Sequence, residues 1–270
     1  MALRNNEIRI VQASMLGSIL SNLLLILGCS FLVGGIKFHE QYFNATVAST
    51  MSSLMAVACA SLVIPATIHD SLATTEPPNT QQRILTISRG TAVVLLVLYV
   101  MYLVFQLKTH SVLFDEEYQP EADQQQTTQV VGPWAAGITI LVATIAVAVC
   151  ANYLIDSINP FIATAHLSKT FVGLILIPII GNAAEHTTAV MAAWRNNMGL
   201  SIAVAIGSSL QMALFVTPFL VLLGWAMDRP MSLHFGMFET VTLCLAAFVV
   251  ILLIQDGRSN YLEGLLCLGM

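Results

Sequence analysis

The sequence predicts an all-α polytopic membrane protein, an inverted-topology repeat of five-helix units with broken midplane helices, the first unit incomplete. Three observations carry that prediction. Hydrophobic residues make up 57% of the 270 and charged residues only 9%, with a mean hydropathy of +0.80, whereas soluble domains are about a quarter charged. Seven apolar stretches fall at 12–34, 43–65, 88–107, 133–155, 169–194, 200–224 and 234–254, and an eighth opens near 260. Each of the seven is long enough to cross a bilayer core of about 30 Å. Sliding the chain along itself by 190 positions, without a gap, lays Asn6, Gly17, Ser18 and Gly34 on Asn196, Gly207, Ser208 and Gly224, with Met1, Ala2, Ala13, Leu20 and Leu24 also matched. Apolar composition alone does not match Asn, a Gly-Ser pair and a closing Gly. The equivalent spans 12–34 and 200–224 are five membrane passes apart, and an odd number of passes inverts one against the other.

Residues 1–107 form the remainder of the first repeat. Its first span carries Ser14, Ser18, Ser21 and Asn22 at steps of three and four, which puts them on one helical stripe. Two readings of the stripe stand: a small-residue packing face helped by Gly17, or a first-repeat ion path through Ser18, Ser21 and Asn22. The second span, rich in Ala, Ser and Thr and ending at Pro65, reads as a closely packed inner helix.

Residues 108–132 form an extramembrane segment. Asp115, Glu116, Glu117, Glu121 and Asp123 place five acids within nine residues and no base among them. Glu117 and Glu121, four apart, suit a short acidic helix; a solvated linker is the other reading. The spacing is not that of a calcium-binding helix-loop-helix.

Residues 133–270 form the second repeat. The fourth span ends near Asp156, expected at the interface, where it snorkels or caps. In the sixth, Gly207-Ser-Ser-Leu-Gln211 puts Ser208 and Gln211 on one face. Glu239 sits about five residues into the seventh span, so interfacial placement competes with a functional one. The apolar residues after 260 number about 11, too few to cross alone, so the chain is expected to continue beyond them, as it is before Met1.

The fifth span holds the densest chemistry, Leu176-Ile-Pro-Ile-Ile-Gly-Asn-Ala-Ala-Glu185-His186. As a helix the apolar run 169–194 would be about 39 Å long at roughly 1.5 Å per residue, which buries Glu185 well inside the membrane. A charge there costs several kcal/mol and usually faces an ion, a cavity or a partner. Pro178 removes a backbone donor and Gly181 permits unusual dihedrals, so the helix should loosen one turn before Glu185 and turn carbonyls inward. Asn182 and Glu185, three apart, would share a face, and an amide oxygen, a carboxylate and freed carbonyls suit a hard cation such as calcium. The competing reading is a Glu that only ties helices together.

Several classes are excluded by composition. No basic patch suggests nucleic acid. Cys29, Cys59, Cys150, Cys244 and Cys267 lie in apolar runs without C-x-x-C spacing and read as packing residues rather than thiolate ligands or disulfides. The amino terminus lacks a cleavable signal pattern. An intramembrane hydrolase would need a second midplane acid or a nucleophile-base pair, and neither is visible, so the chain reads as no enzyme and as needing no cofactor.

Gly181-Asn-Ala-Ala-Glu185-His186, Gly207-Ser-Ser-Leu-Gln211 and Gly17-Ser-Ile-Leu-Ser-Asn22 resemble the vacuolar cation/proton exchangers, the calcium/proton antiporters of fungi and plants, with the fungal members most alike. The resemblance covers nearly the whole chain. It implies secondary exchange of calcium, with manganese as the alternative cargo, for protons across the vacuolar membrane, and two repeats each supplying a Gly-Asn-x-x-Glu helix whose glutamates hold the cation together. Carried onto this sequence, Gly181, Asn182, Glu185, Ser208 and Gln211 would be ligands or their supports, Glu185 and His186 would serve proton coupling, and the acids at 115–123 would match a cytosolic regulatory helix. Two positions depart from the family pattern: Asn152 stands where relatives typically carry Glu, and Gly199 replaces an acidic residue. Loop charge, with Arg4, Arg9, Arg83, Arg89, Lys169 and Arg229 on one side against Lys37, Lys108, Arg195 and Arg258 on the other, favours the opposite orientation by only two charges. The family placement is therefore kept, and glycosylation of the Asn44-Ala-Thr46 sequon would overturn it. The expected partners are membrane lipid, calcium and protons. The rival expectation is a truncated, non-transporting fragment of such an exchanger.

Overall fold

A computed structural model describes residues 3–4, 7–75, 80–111, 113 and 132–270. The helices are α1 (Ile8–Phe38), α2 (Ala45–Thr75), α3 (Thr80–Val104, extended by a π-turn over Phe105–Thr109), α4 (Pro133–Ala165), α5 (Lys169–Gly181), α6 (Ala183–Trp194), α7 (Met198–Ala226), α8 (Met237–Leu253) and α9 (Tyr261–Gly269). Their order matches the apolar stretches. Two helices outrun them: α2 continues through Pro65 and α4 through Pro160. In hydrocarbon a helix interrupted by proline is still better than free backbone, provided side chains take up the exposed carbonyls. Beside Pro160, which frees the Asp156 carbonyl, Ser157 Oγ donates to Tyr153 O and Thr164 Oγ1 to Pro160 O, each one turn back along the same helix. Asp156 therefore lies inside α4 and is exposed, not at the helix end.

The repeat is visible in backbone detail. Helices α1 and α7 start at Ile8 and Met198, 190 positions apart, and each widens into a π-turn, Ser21–Ile26 and Met212–Val216, whose last residues are again 190 apart. In α7 the cause is Pro218, which offers no N–H to the preceding turn; a third π-turn, Val172–Leu176 in α5, likewise ends two residues before a proline, Pro178. The start of α1 meets the end of α7, where Arg229 Nη2 donates to Arg4 O (3.1 Å), and the end of α1 meets the start of α7, where Gln41 Nε2 donates to Asn196 Oδ1 (2.9 Å). The two equivalents thus run antiparallel, as the odd number of passes requires.

Without a hydrophobic force between helices in lipid, packing rests on close approach through small residues. A Cβ on Gly264 of α9 would lie 2.4 Å from Leu32 N and 2.8 Å from Gly28 O, so α9 lies directly on the second half of α1. Helix α4 shows its apolar side chains outward, with Ile138, Ile140, Leu141, Val142, Ile145 and Val147 all exposed, and among its described residues buries only Ile158, against Ile10 and Val172. Such a surface is stable only in lipid. A two-stranded antiparallel sheet, β1 (Gln41–Tyr42) with β2 (Arg258–Ser259), ties the α1–α2 loop to the start of α9. The five cysteines are free; Cys59 and Cys267 are buried as packing residues, while Cys150 and Cys244 face outward.

Candidate functional site

The fifth span is broken. Helices α5 and α6 meet at 57° across Asn182, whose backbone (φ −96°, ψ 16°) leaves the helical region. The break falls three residues before Glu185, where Pro178 and Gly181 place it. Pro178 has no N–H for the Leu174 carbonyl four residues back. That carbonyl faces α1 at Gly17, where a Cβ would lie 2.0 Å from it and 2.6 Å from Pro178 Cγ. Only glycine allows α1 and α5 to cross this closely. The crossing brings the π-turn of α1 against the bend.

A relay of side chains links three helices there. Ser208 Oγ on α7 donates to Val204 O (2.6 Å) and accepts from Asn22 Nδ2 (2.9 Å). Asn22 Oδ1 accepts from Asn182 Nδ2 (2.9 Å), which also reaches Ser18 O at 3.4 Å. Asn22 is 1% exposed. His186 Nδ1 lies 2.7 Å from Asn182 O; a carbonyl only accepts, so Nδ1 carries the proton, and Nε2, which is buried, has no partner among the described residues.

Placement of the other expected residues is uneven. Glu185, one turn beyond the bend, is half-buried and makes no hydrogen bond among the described residues. Ser21 Oγ is buried without a partner among the described residues. Gln211 is exposed and forms no hydrogen bond among the described residues, so it stands apart from the relay although it shares a helix with Ser208. Asn182 stands at the break rather than within one helix with Glu185, and its side chain turns to α1. Both ends of the Asn22 amide are engaged, to Ser208 and Asn182. Asp115, Glu116, Glu117, Glu121 and Asp123 lie outside the described residues. Glu239 is an interfacial cap: it pairs with Arg9, accepts from Gly236 N (3.0 Å) and is 3% exposed. Sequence reading missed two buried amides, Gln12, which donates to Ser232 O (3.0 Å) and His234 O (3.1 Å), and Gln41, which donates to Ala193 O (2.9 Å). Their only sequence signal was a Gln at the very start of an apolar run and another in the short loop behind one.

Residues 1–108 and 135–270 match the profile of the sodium/calcium exchanger protein family. The chain belongs to that family. It is 44% identical over 270 residues to the vacuolar calcium ion transporter of Schizosaccharomyces pombe, covering all of this chain and 65% of that protein. It is 38% identical to vacuolar cation/proton exchanger 2 of Arabidopsis thaliana (98% of this chain, 61% of the relative) and 39% identical to the Ca2+/H+ antiporter of Aphanothece halophytica (99% and 73%). The chain thus spans less than two thirds of the length of the first two relatives. Among solved structures, native YfkE superposes with a TM-score of 0.80 at 32% identity, covering 99% of this chain and 74% of YfkE. The H+/Ca2+ exchanger CAX, at 13% identity and a TM-score of 0.64, shares the fold. This exchanger-family chain is an integral membrane protein.

Proposed function

We propose that the chain forms the core of a secondary transporter that exchanges calcium for protons across the vacuolar membrane, with the acidic segment on the cytosolic side. One observation carries this reading: the Ser208–Asn22–Asn182 relay joins both repeats at the bend that presents Glu185. The named activities of the 37–44% identical relatives support it.

Asn182 and Ser208 offer neutral oxygens, a role the family resemblance extends to Gln211, and Glu185 offers the charge; manganese suits the same donors. Among the described residues no three acidic, His or Cys side chains come together. A divalent ion in a low-dielectric setting needs a second carboxylate, which the family resemblance assigns to the equivalent Gly-Asn-x-x-Glu helix of the first unit. A bound cation favours ionised Glu185, and a proton on Glu185 removes the charge that holds the cation, so each ligand expels the other. His186, on the same turn, assists the proton side.

The test is proton-driven calcium uptake into acidified vesicles carrying the full-length protein. Glu185→Gln keeps the shape and loses the charge, so uptake is abolished in a protein that still folds and inserts; uptake at the unmodified rate contradicts the assignment. Gln211→Ala, which removes a neutral donor, weakens uptake less.

A further inference from the structure

We propose that Asn22 is a positioning residue that sets the polarity of the Asn182 amide, so that Asn182 turns its oxygen, not its nitrogen, to the cation. This rests on the exchange function proposed above, and it follows from which atom of each pair must donate.

The Ser208 hydroxyl hydrogen is committed along its own helix, to Val204 O at 2.6 Å, with Ala205 O at 3.2 Å. Its oxygen is left to accept. Only the nitrogen of the Asn22 amide can donate to it, so Asn22 Oδ1 must face the other way, toward Asn182. Facing an acceptor, Asn182 must present Nδ2, and the Ser18 carbonyl beside it, a second acceptor, enforces the same choice. Asn182 Oδ1 then points away from α1 and takes no hydrogen bond among the described residues. An amide oxygen ligates a hard cation and an amide NH2 repels it, so a freely rotating Asn182 would spend part of its time in the wrong orientation. Burial of Asn22 strengthens the constraint, because an unpaired polar atom there is costly. The hydroxyl of one repeat thereby orients a ligand on the broken helix through an amide of the other.

Asn22→Leu and Asn22→Asp separate this role from packing. Leucine matches the volume but gives Asn182 nothing to bond. Aspartate buries a charge and gives up the bond to Ser208 Oγ, yet still accepts from Asn182. Calcium uptake into acidified vesicles is measured for the full-length protein as KM and maximal rate, with thermal unfolding of each purified variant alongside. We expect Asn22→Leu to raise the KM for calcium about tenfold with little change in maximal rate, the loss of about one oriented hydrogen bond, and Asn22→Asp to keep KM within about threefold of the unmodified protein. The reverse ranking, with Leu normal and Asp impaired, makes Asn22 a packing residue and overturns the proposal. Glu185→Gln in the same assay distinguishes the failures: if it abolishes uptake while Asn22→Leu leaves KM unchanged, only the positioning role falls; if it is inert, the exchange site itself is misassigned.

Discussion

The two ends of the α1–α7 pair are built on one plan and finished with different chemistry. Behind α1 the chain folds back so that Gln41 seats on Gly34; behind α7, 190 positions on, Met231 seats on Gly224. Lys37 Nζ donates to Trp194 O at 2.8 Å, and Arg229 Nη2 to Arg4 O at 3.1 Å, where Trp194 and Arg4 are again 190 apart. A glycine seat and a cation on a backbone carbonyl have thus been kept in both units. What differs is the seated residue. Gln41 Nε2 bonds Ala193 O and Asn196 Oδ1, both at 2.9 Å, and so fastens the end of α6, the helix of Glu185, to α1. Met231 makes no hydrogen bond with its side chain, and that end is held instead by Gln12 on the Ser232 and His234 carbonyls and by the Arg9–Glu239 pair. The shared parts are a glycine under the seated side chain and a cation on a backbone carbonyl. The parts that differ are those a directional hydrogen bond or an apolar contact can fill equally well.

Five substitutions sharpen the comparison, read by thermal unfolding of the purified full-length protein. Gly224→Ala has the largest effect, since the new Cβ would lie 2.6 Å from the Met231 Cβ, an atom fixed to its own backbone; overpacking of this kind costs about 1–3 kcal/mol. Gly34→Ala meets the tip of Gln41 and is the milder of the two, so an equal or reversed ranking would show that the seats are not what hold the ends. Gln41→Met copies the other end onto this one. It strands the Asn196 side-chain oxygen and leaves the Ala193 carbonyl only the Asn196 N–H, costs about 1–2 kcal/mol and slows transport by loosening α6; a neutral outcome would mean the two latches are interchangeable packing. Lys37→Ala and Arg229→Ala act at exposed sites, and each lowers stability by less than about 1 kcal/mol.

Much of this arrangement could be read from the residues. The spans, the inverted register and the break before Glu185 follow from apolar length, a gapless self-match and one proline, all of them local or periodic signals. Helix ends were less legible: a hydropathy pattern with a proline in it does not show that α4 continues through Pro160. The latches were hidden because Gln12, Gln41 and the Arg9–Glu239 pair bridge more than 150 positions with no pattern in sequence. For the same reason Asn22 read as a stripe residue, since only its neighbours in space reveal that both ends of its amide are taken.

Equilibrium binding of radioactive calcium to the purified full-length protein, at a pH where carboxylates are ionised, tests most directly whether the cation is held at the crossing of the two repeats. The account predicts that Glu185→Gln removes the high-affinity site, while replacing Asp115, Glu116, Glu117, Glu121 and Asp123 by Asn and Gln leaves it and alters only the calcium dependence of transport. Retention of that site in Glu185→Gln, with its loss on neutralising the acidic segment, would contradict the account.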